Sequence, residues 1–277
     1  MKLYFACFIT FICFASTSAT ACPNDEYQKR LSSIAFKDTS SITQAAEELI
    51  KIARNQPNKC REDLIFTFRM YYINCLNKYN NRIESLGINE ANESNINKAL
   101  SKVGWCVKST EGSYYIGESA GWFETEFQKV LTQPYKEYFN FRSKEIQEGF
   151  SEDAGLLISW EKLRNRIFIW ESFLDKYPGF VEKQSIRIYL DIYIRVFLSG
   201  MDSSRIDGFD NKGTLNKDVK VAYEKFIKEN RTSKYYKVVK EFYEMIKRNN
   251  FIVPGNFCDY LKSKGYEPYL AIQPPTY

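Results

Sequence analysis

An all-α fold of stacked antiparallel helical hairpins is what this sequence predicts, and three observations carry the prediction. In residues 163–200, Ile167, Trp170, Phe173, Leu174 and Tyr177 recur every three or four positions, which makes one apolar face of a helix. Pro178-Gly179 stops that helix, and a second stripe follows on Ile186, Tyr189, Leu190, Tyr193, Val196 and Phe197, closed by Ser199-Gly200. So short a turn lays the two helices antiparallel, stripe against stripe. The second observation is an echo. A shift of 53 positions lays Trp170, Phe173, Ile186, Tyr189 and Tyr193 on Tyr223, Phe226, Val239, Phe242 and Ile246. A shift of 121 the other way lays Trp170, Phe173, Leu174, Ile186, Tyr189 and Tyr193 on Leu49, Ile52, Ala53, Ile65, Phe68 and Tyr72. The third is the 44% hydrophobic content of 277 residues, enough for one large core or two smaller ones.

In chain order, residues 25–36 read as a short helix. Ser41-Ile42-Thr43-Gln44 reads as a capping box that starts a helix running to about Gln56, answered by a helix over 60–86. Residues 80–97 are polar and asparagine-rich and read as a surface connection, while 104–122 is the least helix-like stretch. Helices follow over 118–131 and 133–148, broken near Pro134, and then the central hairpin. Residues 201–216 are a polar loop; its DGFDNKG fails as a calcium loop, because only Asp210 would fall on a ligand position. The last hairpin is followed by a short helix over 257–264. Domain limits are therefore a leader over 1–21, N-terminal hairpins over 22–103, a Gly/aromatic-rich irregular segment over 104–122, C-terminal hairpins over 123–265 and an extended tail over 266–277. Equivalent hairpins stack into an elongated, curved array. The pattern is loosely similar to tetratricopeptide-type repeats but departs from their spacing and small-residue positions, so no ligand site is carried over.

The chain opens with Met1-Lys2, an uncharged apolar run, then small residues ending Ala19-Thr20-Ala21, the layout of a secretory signal peptide. Its apolar run is shorter than the ~20 residues that span a bilayer. The expected location is exported: periplasmic or outer-membrane-anchored in a bacterium, secreted otherwise. Ala19-Thr20-Ala21-Cys22 resembles the lipobox of bacterial lipoproteins, although families of this kind usually carry leucine where Ala19 stands. The resemblance implies a lipidated Cys22 and membrane association through it. Ordinary cleavage at the same bond, leaving Cys22 a thiol or disulfide partner, is the alternative. Cys7 and Cys13 leave with the leader, so Cys22, Cys60, Cys75, Cys106 and Cys258 remain. Fifteen residues of helix span about 22 Å, which keeps Cys60 from Cys75. The expected bridge is Cys75–Cys106, with Cys60 joined to Cys22 or Cys258.

Segment 104–122 is also the expected binding site. Glycines crowd it, Trp105, Tyr114, Tyr115 and Trp122 offer flat faces, and Glu111 and Glu118 supply carboxylates. The bland alternative is a loop whose aromatics plug the gap between hairpins. Net charge is +5, with Lys228, Arg231, Lys234, Lys237 and Lys240 three residues apart. Such a strip meets lipid phosphates or an acidic partner, or is simply a solvated helix face. An imbalance this small does not point to nucleic acid.

The absence of histidine removes Ser-His-Asp and Cys-His catalysis and histidine-ligated zinc. No dinucleotide fingerprint, P-loop or CxxC occurs, so no cofactor or metal is implied. Carboxylate-only chemistry stays open, since glycoside hydrolysis needs two acids; Glu111, Glu118 and Asp153 are its candidates. Glu118-Ser119 resembles the Glu-Ser pair of lytic transglycosylases, without their downstream Gly-Leu-Met-Gln. EGSYY, ISWEKL and the WExFL…YP hairpin resemble a family of uncharacterised bacterial secreted proteins, a resemblance from Trp105 onward that implies no activity. Two functions are therefore expected. One is a non-catalytic cell-envelope protein that binds a protein or peptidoglycan partner, with an inhibitor or immunity role as one version. The other is a carboxylate-dependent glycan-cleaving enzyme.

Overall fold

Every apolar stripe read from the sequence turns inward. In the computed structural model, which describes residues 22–269 apart from Ala35, Lys37, Glu111, Asp210 and Asn211, the fold is mainly all-α, with only short two-stranded sheets. Three antiparallel hairpins frame it: α2 (Ser40–Ala53) with α3 (Asn58–Asn80), α7 (Trp160–Lys176) with α8 (Lys183–Ser199), and α9 (Lys217–Glu229) with α10 (Tyr236–Arg248). The remaining helices are α1 (Asn24–Ser33), α4 (Glu93–Leu100), α5 (Trp122–Glu126), α6 (Gln133–Glu148) and α11 (Phe257–Ser263). Trp170 and Tyr223, matched by the shift of 53 positions, are both fully buried, as are Leu49, Ile65 and Phe68 from the other echo. One continuous core joins all three hairpins.

Ion pairs along the helices show how the elements stack. Glu137–Lys176 and Glu148–Lys162 run α6 antiparallel to α7. Glu161–Lys225, Arg164–Glu229 and the Lys234 amide on Glu171 run α7 and α9 in the same direction, the relation between first helices of successive hairpins. Serine and asparagine caps set two starts: Ser159 Oγ accepts from the Lys162 amide at 3.2 Å, and Asn216 Oδ1 from the Asp218 amide at 2.8 Å. At α2 the expected capping box is displaced. The helix begins at Ser40 with Thr39 at the cap position, two residues ahead of Ser41, and Asp38 Oδ1 accepts from the Ser40 amide at 2.8 Å.

The largest departure is the segment 104–122. It forms a β-hairpin, β1 (Trp105–Thr110) with β2 (Ser113–Glu118), in register from Trp105 opposite Glu118 to Thr110 opposite Ser113. The helix expected over 118–131 shrinks to α5, because Glu118 still belongs to the ladder and Gly121, at φ +83°, turns the chain before a helix can start. Residues 151–156 and 200–205 hold two further small hairpins, β3 (Ser151–Glu152) with β4 (Gly155–Leu156) and β5 (Gly200–Met201) with β6 (Ser204–Arg205). Among the described residues no helix is long and apolar enough to cross a membrane.

Candidate functional site

Strand alternation decides what the first β-hairpin can offer. Trp105 and Val107 point to the core face, and Trp105 is fully buried against Tyr72 of α3 at 5.7 Å between ring centroids. Trp122 is half-buried and stacked, its ring 5.4 Å from Tyr72 at an interplanar angle of 15° and 6.3 Å from Phe68. Trp105 is therefore a core residue, which corrects the expected binding role, and Trp122 has one face taken by packing. Tyr114 is half-buried against the same core, Tyr115 is exposed, and Glu111 lies outside the described residues. The two tryptophans and Glu118 are brought together around Tyr72 and Arg69, and Tyr115 is left on the surface. The bland alternative, aromatics filling the gap between elements, describes most of the segment.

Gly104 makes that packing feasible. It sits at φ +72°, and a Cβ there would lie 2.4 Å from Trp122 Cγ. Gly104→Ala should cost about 2–4 kcal/mol from left-handed backbone strain plus overpacking. Urea unfolding followed by tryptophan fluorescence checks it, and an unchanged midpoint would contradict the close approach.

Behind the hairpin lies a buried charge cluster. Arg69, 4% exposed on α3, places Nε 2.9 Å from Glu182 Oε1 and donates to Oε2 at 3.0 Å. Its Nη2 donates to Tyr138 Oη at 3.3 Å, and that hydroxyl donates to Glu182 Oε2 at 3.2 Å. Glu118 Oε1 stands 3.8 Å from Nη1. Rings of Phe123, Tyr138 and Phe139 surround the guanidinium at 5.1–5.3 Å. Burial alone would lower the arginine's pKa, but Glu182, together with Tyr138, Glu118 and Tyr189, outweighs it and holds the group cationic. A second cluster continues it. Glu145 accepts from Trp170 Nε1 and from Arg142 Nη1, each at 2.7 Å, and Arg142 lies 4.4 Å from the Tyr189 ring centroid. These groups lock α3, α6, α7 and α8 to one another.

The cysteines depart from the expected bridge. Cys22 and Cys60 are joined, with Cα atoms 5.5 Å apart, while Cys75, Cys106 and Cys258 are free thiols. The expected Cys75–Cys106 bridge is thus corrected, for a physical reason. Trp105 and Val107 take the face of β1 that meets α3, so alternation sends Cys106 to the other face, near the carbonyls of Gly117 and Glu118. In this structure the Cys22 sulfur carries a disulfide, and one sulfur cannot also carry a lipid thioether. The leader itself lies outside the described residues.

Asp153 occupies a tight turn at φ +45°. Two shallow surface concavities, neither lined by Glu118 or Asp153, lie elsewhere on the described surface. The smaller, of about 240 Å³, lies between Ile50 and Arg54 of α2 and residues 125–130. The larger, of about 410 Å³, runs along the α9/α10 hairpin. Glu224, Ile227 and Lys228 on α9, with Arg231 just beyond its end, face Tyr236, Lys240, Tyr243, Glu244 and Lys247 on α10. The first set falls at i, i+3, i+4 and i+7 and the second at i, i+4, i+7, i+8 and i+11, so each lies on one helix face. The α10 set covers about 16 Å of axis.

The expected basic strip is divided there. Lys228, Arg231 and Lys240 line the groove; Lys237 pairs with Glu241 at 3.9 Å, and Lys234 lies over the Tyr235 ring. Lys247 joins the groove from a position outside the strip. Lys228, Arg231, Lys240 and Lys247 are all exposed, and none has an ion-pair partner among the described residues, whereas neighbouring Lys225 is paired with Glu161 at 2.7 Å. Tyr243 is buried and donates to Glu224 Oε1 at 2.5 Å; burial, reinforced by that hydrogen bond, keeps its hydroxyl protonated. The Lys240 ammonium lies 5.6 Å from the Tyr236 ring centroid. Among the described residues no group of three or more acidic or cysteine side chains is placed to hold a metal ion. No family model, curated protein or solved structure matches the chain.

Proposed function

We propose that this chain is a non-catalytic cell-envelope protein that binds a protein or peptidoglycan partner. The observation that carries the reading is the α9/α10 groove, where four exposed cations without ion-pair partners border aromatic and aliphatic side chains on a rigid hairpin. An oxidising, exported location is supported by the Cys22–Cys60 disulfide and the signal-peptide layout of residues 1–21. The same disulfide favours a free exported chain over a lipid-anchored one. Glycan cleavage draws less support, because Glu118 stands beside the buried Arg69 cluster, 3.8 Å from its Nη1, and Asp153 sits in a tight turn.

Incubating the purified chain with peptidoglycan sacculi separates the two functions. The expected result is that the wild-type chain releases no soluble glycan fragments, and that Glu118→Gln leaves co-sedimentation with sacculi unchanged. Release of fragments that disappears in Glu118→Gln or Asp153→Asn would replace the binding reading with the enzymatic one.

A further inference from the structure

Resting on that binding role, we propose that the α9/α10 groove takes an acidic polypeptide segment carrying aromatic or apolar side chains between its carboxylates. Charge complementarity selects the sign. Lys228, Arg231, Lys240 and Lys247 contribute four positive charges, and none has an ion-pair partner among the described residues. Of the two carboxylates in the groove, Glu224 already accepts from Tyr243. Elsewhere on the hairpin Lys225 pairs with Glu161 and Lys237 with Glu241, while Lys217, Lys220, Lys234 and Arg248 have no ion pair among the described residues but stand apart from the groove. What sets the groove apart is that four such cations gather around one concavity.

Shape and lining select a polypeptide. The cations stand on both helices bordering a shallow, open groove, so a strand or helix laid along it meets both sets. Ile227, Tyr236 and Tyr243 supply apolar and ring surface between the charges, which a uniformly charged polyanion leaves unused. Glu224 and Glu244 interrupt the positive field, which penalises continuous phosphate or carboxylate more than a segment of mixed side chains. A volume of about 410 Å³ accommodates a few side chains rather than a folded domain.

The test uses the full exported chain, a fluorescent random copolymer of glutamate and tyrosine, poly-glutamate of equal length, and phosphatidylglycerol vesicles. The copolymer is expected to bind about tenfold tighter than poly-glutamate, roughly one buried aromatic contact's worth. The variant K228E/R231E/K240E/K247E should weaken it about thirtyfold, the product of four modest exposed ion pairs. K51E/K78E/K98E/K144E, which makes the same change in net charge at exposed sites elsewhere, should bind like the wild type. The glutamine set K228Q/R231Q/K240Q/K247Q serves if the reversed variant fails to melt cooperatively; there a loss of about tenfold is expected. Equal weakening by the control set, or stronger binding of vesicles or poly-glutamate than of the copolymer, overturns the proposal. If the copolymer does not bind but sacculi still co-sediment with the chain, the groove assignment fails and the binding role survives. If neither binds and glycan fragments are released, both fail.

Discussion

Arg69→Met should be among the most damaging single substitutions in this protein, costing about 3–5 kcal/mol. The size follows from what is left behind. Glu182, 3% exposed at the start of α8, would keep its charge without the Arg69 cation, with tyrosine hydroxyls such as that of Tyr138 left to address it, and Glu118 would lose the same cation. For a chain of this length the loss corresponds to a fall in melting temperature of about 6–20 °C. Removing the charge on both sides behaves differently. Arg69→Met with Glu182→Gln should recover a large part of the deficit, since a neutral amide costs far less to bury than an orphaned carboxylate. Calorimetric melting of the wild type, both single variants and the double variant closes the cycle. Additive losses in the double variant would mean that the two side chains do not share one buried environment, contrary to the 2.9 Å approach.

That pair also shows where the sequence stopped being legible. Periodicity reports which side of a helix is buried, because burial repeats every 3.6 residues whatever the partner. Hence the stripe through Trp170 and its echo through Tyr223 could be read directly, and both residues are fully buried. Periodicity says nothing about which distant residue completes a charge, and Arg69 and Glu182 lie 113 positions apart. A signal was nevertheless present. Arg69 follows Phe68 on the stripe shared by Ile65 and Tyr72, just as Arg166 precedes Ile167, and a cation on an apolar stripe needs a buried partner. The β-hairpin at 105–118 was obscured by its glycines, which read as loop when counted by composition. Alternation from Trp105 through Val107 was the better guide, and it also places Cys106 away from α3. At the groove, a spacing of three running through the turn after α9 treated one strip as one face. The antiparallel return instead divides those cations, bringing Lys228 and Lys240 to the same channel and leaving Lys237 outside it.

Cys60→Ser should destabilise the oxidised protein by about 2–4 kcal/mol, and its outcome also decides the fate of Cys22. The disulfide closes a separation of 38 residues, for which a chain-entropy argument gives a penalty near the top of that range. It ties the residue preceding α1 to α3, alongside the buried Tyr27 and Leu31 and two hydrogen bonds, Tyr27 Oη donating to the Ala45 carbonyl at 2.8 Å and Thr67 Oγ1 donating to Asn24 Oδ1 at 2.8 Å. Loss of the bond should therefore appear first as faster amide exchange in α1 and then as a lower unfolding midpoint. Reducing the wild type should reproduce the shift, and reducing Cys60→Ser should add nothing. If Cys22 instead leaves the cell as a lipid thioether, Cys60 is a free thiol in the native protein. The substitution would then be nearly silent, intact mass would carry the acyl chains, and a thiol reagent under denaturing conditions would count four cysteines rather than three in the exported chain, since Cys75, Cys106 and Cys258 are free in either case. A silent Cys60→Ser with the added mass would remove the disulfide from this fold and return the protein to the membrane surface.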